Sequence, residues 1–177
     1  MSLDDHRLRE RLEQGLNELG IDAFPARREG LLTLLALLHK WNRAYNLTAV
    51  RAPEEMVSRH LLDSAAVAPF VTGSTLLDVG AGPGLPGLVL AILEPERRVT
   101  LLDSNGKKVR FQRQAVMELG LSNATPVQAR VEARGGFVEH QQLGPGGQRG
   151  HQADLLPVAL GVVADTLALI ELEALHQ

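Results

Sequence analysis

The densest run of chemically capable residues is Asp78-Val79-Gly80-Ala81-Gly82-Pro83-Gly84-Leu85-Pro86-Gly87. An acid followed by closely spaced glycines suits a turn that presses its backbone against a ligand, because glycine accepts positive φ and adds no side chain to the contact. A dinucleotide fingerprint, G-x-G-x-x-G, would place its third glycine at position 85, where this chain has Leu85. The spacing Asp-x-Gly-x-Gly-x-Gly is instead the one used with S-adenosylmethionine, which has no pyrophosphate. Its ammonium group can meet Asp78, and its carboxylate can meet N–H groups of the turn around Gly80 and Gly82. Pro86 suits the first turn of a helix, whose free N–H groups would be further receptors for polar ligand atoms.

Asp103 lies 23 residues after Gly80, close to the roughly 20-residue offset at which an acid meets ribose hydroxyls in Rossmann sites. The same acid could cap the helix that follows, and the two roles are compatible. Arg130-Val131-Glu132 falls where a third strand would end, at the carboxyl edge of the sheet where open α/β folds bind ligands. Between Arg97 and Arg113 stand six basic residues (Arg97, Arg98, Lys107, Lys108, Arg110, Arg113) against the single acid Asp103. Such a stripe fits phosphate contact, and it fits a solvated helix face equally well.

These residues need a scaffold of alternating strands and helices. Thr75 to Val79, Arg98 to Asp103 and Ala124 to Ala129 read as short apolar strands. Pro86 to Leu93 and Gly106 to Leu119 read as helices between them, which predicts parallel βαβ units. Upstream, Leu8, Leu12, Leu16 and Leu19 recur at helical spacing before Gly20. A second helix runs from Pro25 through Leu31, Leu34, Leu35 and Leu38, and Pro53 opens a third. Residues 133–152 are rich in glycine and glutamine and show no apolar period, whereas 153–177 are apolar again, with a helix expected over 162–175. The expected fold class is α/β: a Rossmann-like methyltransferase fold over 71–132 with a helical N-terminal extension over 1–70. It stops after a third strand, and a divergent tail follows over 133–177.

Bulk properties narrow the setting. The 177 residues carry a net charge of −3, with 45% hydrophobic and 22% charged residues and no cysteine, an ordinary composition for one globular domain. Without cysteine there is no disulfide framework, thiolate zinc site or catalytic thiol, and no metal site is expected. The acidic start Met1-Ser2-Leu3-Asp4-Asp5 is unlike a signal peptide. The apolar run Leu31 to Leu38 is far shorter than the roughly 20 residues a bilayer crossing needs.

Five segments together resemble one family in order and spacing: His39-Lys40-Trp41-Asn42-Arg43-Ala44-Tyr45-Asn46-Leu47-Thr48, Arg59-His60-Leu61-Leu62-Asp63-Ser64, Asp78 to Gly87, Leu101-Leu102-Asp103-Ser104-Asn105-Gly106-Lys107-Lys108, and Arg130-Val131-Glu132. The family is ribosomal RNA small subunit methyltransferase G, also called glucose-inhibited division protein B, and the resemblance runs from about residue 10 to 132. It implies methyl transfer from S-adenosylmethionine to N7 of a guanine in 16S rRNA, in bacterial cytoplasm. Its partner would be that RNA or the small-subunit particle, with no DNA or membrane partner. By matching position, Gly80, Leu85, Val131 and Glu132 would contact the cofactor and Asp103 would hold its ribose. The family's later serine-arginine-alanine element has no counterpart after residue 132.

Guanine N7 carries a free lone pair, so attack through it releases no proton there and requires no general base; no catalytic acid or base is assigned. Candidate RNA contacts are Asn46, Arg51, His60 and Asp63 from the helical lead-in, with Lys107, Lys108 and Arg110 for phosphates. Each has a structural alternative: Asn46 as a turn cap, His60 as a half-buried satisfied side chain, Asp63 paired with Arg59. Trp41 and Tyr45, one turn apart, could stack a base or pack the lead-in against the sheet. A non-catalytic cofactor-binding remnant is the alternative function. A nicotinamide oxidoreductase is disfavoured by Leu85.

Overall fold

The computed structural model describes residues 3–130 and 159–161. Helix α1 (Leu3–Glu18) ends as Gly20 predicts. Gly20 adopts φ +69 and the Ile21 N–H reaches back to the Leu16 carbonyl at 2.9 Å, a helix stop closed by an apolar residue. Helix α2 (Pro25–Tyr45) has proline in its first turn and buries Leu31, Leu34, Leu35, Leu37, Leu38 and Asn42 along one side. Asn46 ends it in the left-handed region, at φ +50.

The third helix, expected as regular from Pro53, is not. Helix α3 (Pro53–Met56) opens into a π-helical segment, Val57–Leu62, and tightens again as α4 (Asp63–Ala65). The widened turn places Met56, Val57, Leu61, Ser64 and Ala65 inward together. A 3-10 turn, Ala68–Phe70, leads to the sheet.

Strands β1 (Thr75–Val79), β2 (Arg98–Asp103) and β3 (Ala124–Gln128) pair in parallel in the order β3-β2-β1, with Leu77 opposite Thr100 and Thr100 opposite Thr125. Helices α5 (Gly87–Leu93) and α6 (Gly106–Leu119) are the crossovers. This is the expected α/β, Rossmann-like arrangement of three parallel strands with a helical lead-in. A further short strand, β4 (Ala159–Gly161), runs antiparallel along the other edge of β1, with Leu77 opposite Gly161. The sequence offered no strand signal there, since three residues around a glycine carry no readable period. The rest of the tail, including the helix expected over 162–175, lies outside the described residues.

The lead-in and the sheet share one core. Leu12, Leu31, Leu34 and Leu38 join Leu88, Leu90, Leu101 and Phe111 in a single apolar cluster, and every residue of α5 is buried. Two polar side chains fasten its lower end. The Asn123 Nδ2 donates to the carbonyls of Ala91, Glu94 and Arg97 at 3.0, 3.3 and 3.0 Å, gathering the end of α5 and the turn into β2. The Arg97 guanidinium bonds Glu94 and the carbonyls of Gly73 and Val71. Arg97 therefore leaves the basic stripe that the sequence suggested for phosphate, because its donors are spent inside the fold. Among the described residues, no helix is long and apolar enough to cross a membrane.

Candidate cofactor site

The parallel pairing of β1 and β2 sets their carboxyl ends side by side, with Val79 opposite Leu102. As the chain leaves β1, the N–H groups of Gly80 and Ala81 both donate to the Leu102 carbonyl, at 2.8 and 3.0 Å, which folds the turn over the end of β2. Gly80, Gly82 and Gly84 take φ of +74, +57 and +85, values that side-chain-bearing residues adopt at a cost.

The glycines divide by what a side chain would meet. A Cβ on Gly84 would collide with Leu88, and one on Gly87 would strike Leu101 and stand 2.8 Å from the Asp78 Oδ2. Gly87 lets α5 lie close against the strands, and Gly84 lets the turn close onto α5. A Cβ on Gly80 would meet nothing within 4 Å, and Gly80 is exposed. Gly82 is buried, with its nearest neighbours the Gly80 carbonyl at 3.8 Å and the Lys108 Nζ at 4.0 Å from a built Cβ. Leu85 is half-buried against the core beside them.

Both acids lie in this corner, each 7% exposed. The Asp78 Oδ2 accepts the Gly87 N–H at 3.0 Å. Burial pushes its carboxyl up to about 6; the Gly87 hydrogen bond opposes this, and the nearby Asp103 charge adds to it. Asp103 spends one oxygen on the Gly82 N–H (2.8 Å) and the other on the Asn105 N–H (2.7 Å). The cap of α6 is Asn105, whose Oδ1 accepts from the N–H groups of Lys107 and Lys108 at 3.0 and 3.4 Å. Asp103 thus supports the glycine turn rather than capping the helix, a link of 21 positions that spacing could not reveal.

Two expectations about the turn are corrected. Pro86 precedes α5 instead of opening it. The first two N–H groups of that helix are taken internally, Gly87 by Asp78 and Leu88 by the Gly84 carbonyl at 2.7 Å. The α5 terminus therefore does not offer those N–H groups to a ligand. The turn around Gly80 and Gly82, expected to receive the cofactor carboxylate, does not either: the Gly80 and Ala81 N–H groups go to the Leu102 carbonyl, that of Gly82 to Asp103, and those of Gly84 and Leu85 to the Ala81 carbonyl. A residue absent from the sequence reading, Gln112, also belongs here: its Nε2 donates to the Gly82 carbonyl at 2.8 Å. The signal was a polar residue on the inward side of α6, beside the buried Val109, Phe111 and Ala115.

Three of the lead-in candidates form a knot around the loop after α2. The Arg51 guanidinium donates to the Asn46 Oδ1 at 2.8 Å and reaches the Asn42 carbonyl at 3.5 Å. Buried Asn42 ties the loop through the Val50 carbonyl and the Thr48 N–H. The His60 Nε2 lies 2.9 Å from the Thr48 Oγ1 and its Nδ1 3.0 Å from the Arg59 carbonyl; burial lowers its pKa. Asn46 is thus a helix end and His60 a half-buried, bonded side chain. Asp63 is exposed, and no ion pair joins it to Arg59 among the described residues. Trp41 stacks on Tyr45 at 5.2 Å and meets Phe111 of α6 edge-on at 5.7 Å, so it packs the lead-in onto the crossover. Lys107 and Arg110 are exposed on α6, and Lys108 is half-buried towards the turn. Val131 and Glu132 lie outside the described residues.

The model of the family described as rRNA small subunit methyltransferase G matches residues 27–143, running past the position at which the motif resemblance stops. A protein of that name from Chromohalobacter salexigens is 75% identical over 122 residues, 69% of this chain and 59% of the relative. One from Methylococcus capsulatus is 62% identical over 122 residues, 69% of this chain and 60% of the relative. One from Stenotrophomonas maltophilia is 56% identical over 132 residues, 75% of this chain and 61% of the relative. The chain spans about 60% of the length of the curated relatives it matches. With the glycine turn, both crossovers and all three parallel strands inside the matched stretch, the chain belongs to the rRNA small subunit methyltransferase G family.

Proposed function

We propose that the chain binds S-adenosylmethionine on the Asp78–Gly87 turn and directs its methyl group to N7 of a guanine in 16S rRNA, in the cytoplasm, free or within the small-subunit particle. The observation that carries the cofactor reading is Gly80: exposed, at positive φ and facing open space, beside two buried carboxylates at the ends of adjacent strands. That corner suits a ligand bearing an ammonium group and a ribose. Asp78, buried with no ion pair among the described residues, is a receptor for the ammonium group. Asp103 keeps lone pairs beyond its two backbone bonds and can accept from ribose hydroxyls. Gly80, Gly82 and Leu85 form the wall, and Val131 and Glu132, which match the family's motif in sequence, would contact the cofactor too. When bound, the cofactor supplies a methyl group on a sulfonium centre.

The chain's own task is alignment. No proton leaves guanine N7, so the residues must hold the base rather than move a proton. An unpaired base in an RNA loop is the accessible form. Arg51, Asn46 and His60 stand together on the lead-in, and Asp63 is exposed nearby in sequence. Lys107, Lys108 and Arg110 on α6 carry positive charge for phosphates. The identities of relatives named as rRNA methyltransferases support the RNA substrate.

A second reading, in which the chain binds the cofactor and transfers nothing, is favoured by residues 133–177, which hold no counterpart of the family's serine-arginine-alanine element. Titration calorimetry with S-adenosylmethionine, followed by transfer of labelled methyl to purified small-subunit RNA, separates the two. Binding with transfer supports the enzyme, binding without transfer supports the remnant, and absence of binding overturns both.

A further inference from the structure

Gln112 is fully buried, and its carboxamide makes one bond, from Nε2 to the Gly82 carbonyl at 2.8 Å. The Oε1 is buried with no hydrogen-bond partner among the described residues. Turning the amide over would set two acceptors against each other, so the Gly82 carbonyl fixes its orientation. A buried carboxamide oxygen without a partner is destabilising. An apolar side chain of similar length would fill the same place, among Val109, Phe111 and Ala115, without that cost. Packing alone therefore does not account for a glutamine here.

The bond acts at a sensitive point. Gly82 at φ +57 stands between two other glycines at positive φ, and the residue that follows is Pro83, which has no N–H. The glycines leave their own φ and ψ with little steric restraint, while the Pro83 ring fixes only the φ that follows the Gly82 carbonyl. The Gly82 N–H is held by Asp103 and its carbonyl by Gln112, so the residue is clamped on both sides. We infer that Gln112 is a positioning residue: it fixes the glycine turn in the shape that receives the cofactor before the cofactor arrives. Preorganisation of this kind raises affinity by removing the ordering cost from the binding step. The inference rests on the reading that this turn is the cofactor site.

The test uses the whole chain with Gln112→Met, which keeps length and removes the donor, and Gln112→Glu. Hydrogen exchange of the turn amides is read in the ligand-free chain, and S-adenosylhomocysteine affinity by calorimetry. Gln112→Met should keep its thermal midpoint, exchange faster at Gly82, Gly84 and Leu85, and bind about tenfold more weakly, as loss of one net hydrogen bond implies. Gln112→Glu should bind weakly when ionised and recover towards the wild-type value at the same pH as the carboxyl protonates and can donate to Gly82. Unchanged exchange and affinity in Gln112→Met, or a Gln112→Glu deficit independent of pH, overturns the inference. A wild-type chain that takes up no ligand overturns the cofactor reading instead. Loop exchange then still decides whether Gln112 holds the turn.

Discussion

Asp78, near the end of β1, accepts the N–H of Gly87, the first residue of α5, across the whole glycine turn at 3.0 Å. The acid is raised from 3.8 to about 6 because burial disfavours its charge. Its folded pKa lies above the unfolded one, so its stabilising contribution is fully present below about pH 4 and is lost as pH rises through about 6. At pH 7.5 the ionised carboxylate, with the Gly87 N–H as its hydrogen-bond donor and no ion pair among the described residues, is a liability. Asp78→Asn should therefore raise stability at that pH by about 1–3 kcal/mol, since each pKa unit is worth about 1.4 kcal/mol and residual exposure reduces the total. The same variant should lose most cofactor affinity. Thermal denaturation at pH 7.5 and calorimetry check the opposed signs.

Cofactor binding should itself depend on pH. A ligand ammonium group favours ionised Asp78, so affinity should rise as pH increases from 5 to 7, by at most about tenfold per unit where the group is protonated. Binding near pH 6 should release a proton. Calorimetry in buffers of different ionisation enthalpy would show it as a buffer-dependent heat; equal heats would remove the ammonium from Asp78.

Gly84 and Gly80 have similar φ and different surroundings. Gly84→Ala drives a methyl into Leu88 and should cost about 2 kcal/mol or more through overpacking and left-handed strain. Gly80→Ala meets no atoms and should cost only the backbone strain, about 1 kcal/mol, while cofactor binding falls. Denaturant titration beside ligand titration distinguishes the pair. If both variants lose stability equally, the open space at Gly80 is not a ligand cradle.

Phe111 is completely buried and meets Trp41, the sole tryptophan of the chain. Phe111→Ala should destabilise by about 3–5 kcal/mol and shift Trp41 fluorescence to the red as water reaches the indole. Urea unfolding followed at that emission measures both effects.

The sequence was informative wherever a local rule governs the outcome. Asp78 to Gly87 showed its turn because glycines and an acid at fixed offsets have few structural uses, and the strands around it were short apolar runs. Gly20 and Pro25 marked helix ends through backbone chemistry alone. What stayed hidden depends on contacts between distant positions. Gln112 reads as a surface residue of a charged helix until α6 is laid against the turn 30 positions earlier. Arg97 reads as one of six cations until the loop before β1 closes on it. The π-helical segment at Val57–Leu62 has no composition of its own and follows from fitting apolar side chains into a core shared with α1 and α2.

That shared core also has a bearing on synthesis. Helix α2 finds its partners on α5 and α6, and Phe111 lies 73 residues after Leu38. At about 5–20 residues per second of translation, the apolar stripe of α2 waits roughly 4–15 s for its cover. Until then the nascent lead-in has only α1, α3 and the π-helical segment to close upon, a partly covered apolar surface well suited to a holdase chaperone. The period of greatest aggregation hazard for this chain therefore falls on the ribosome, before its sheet exists.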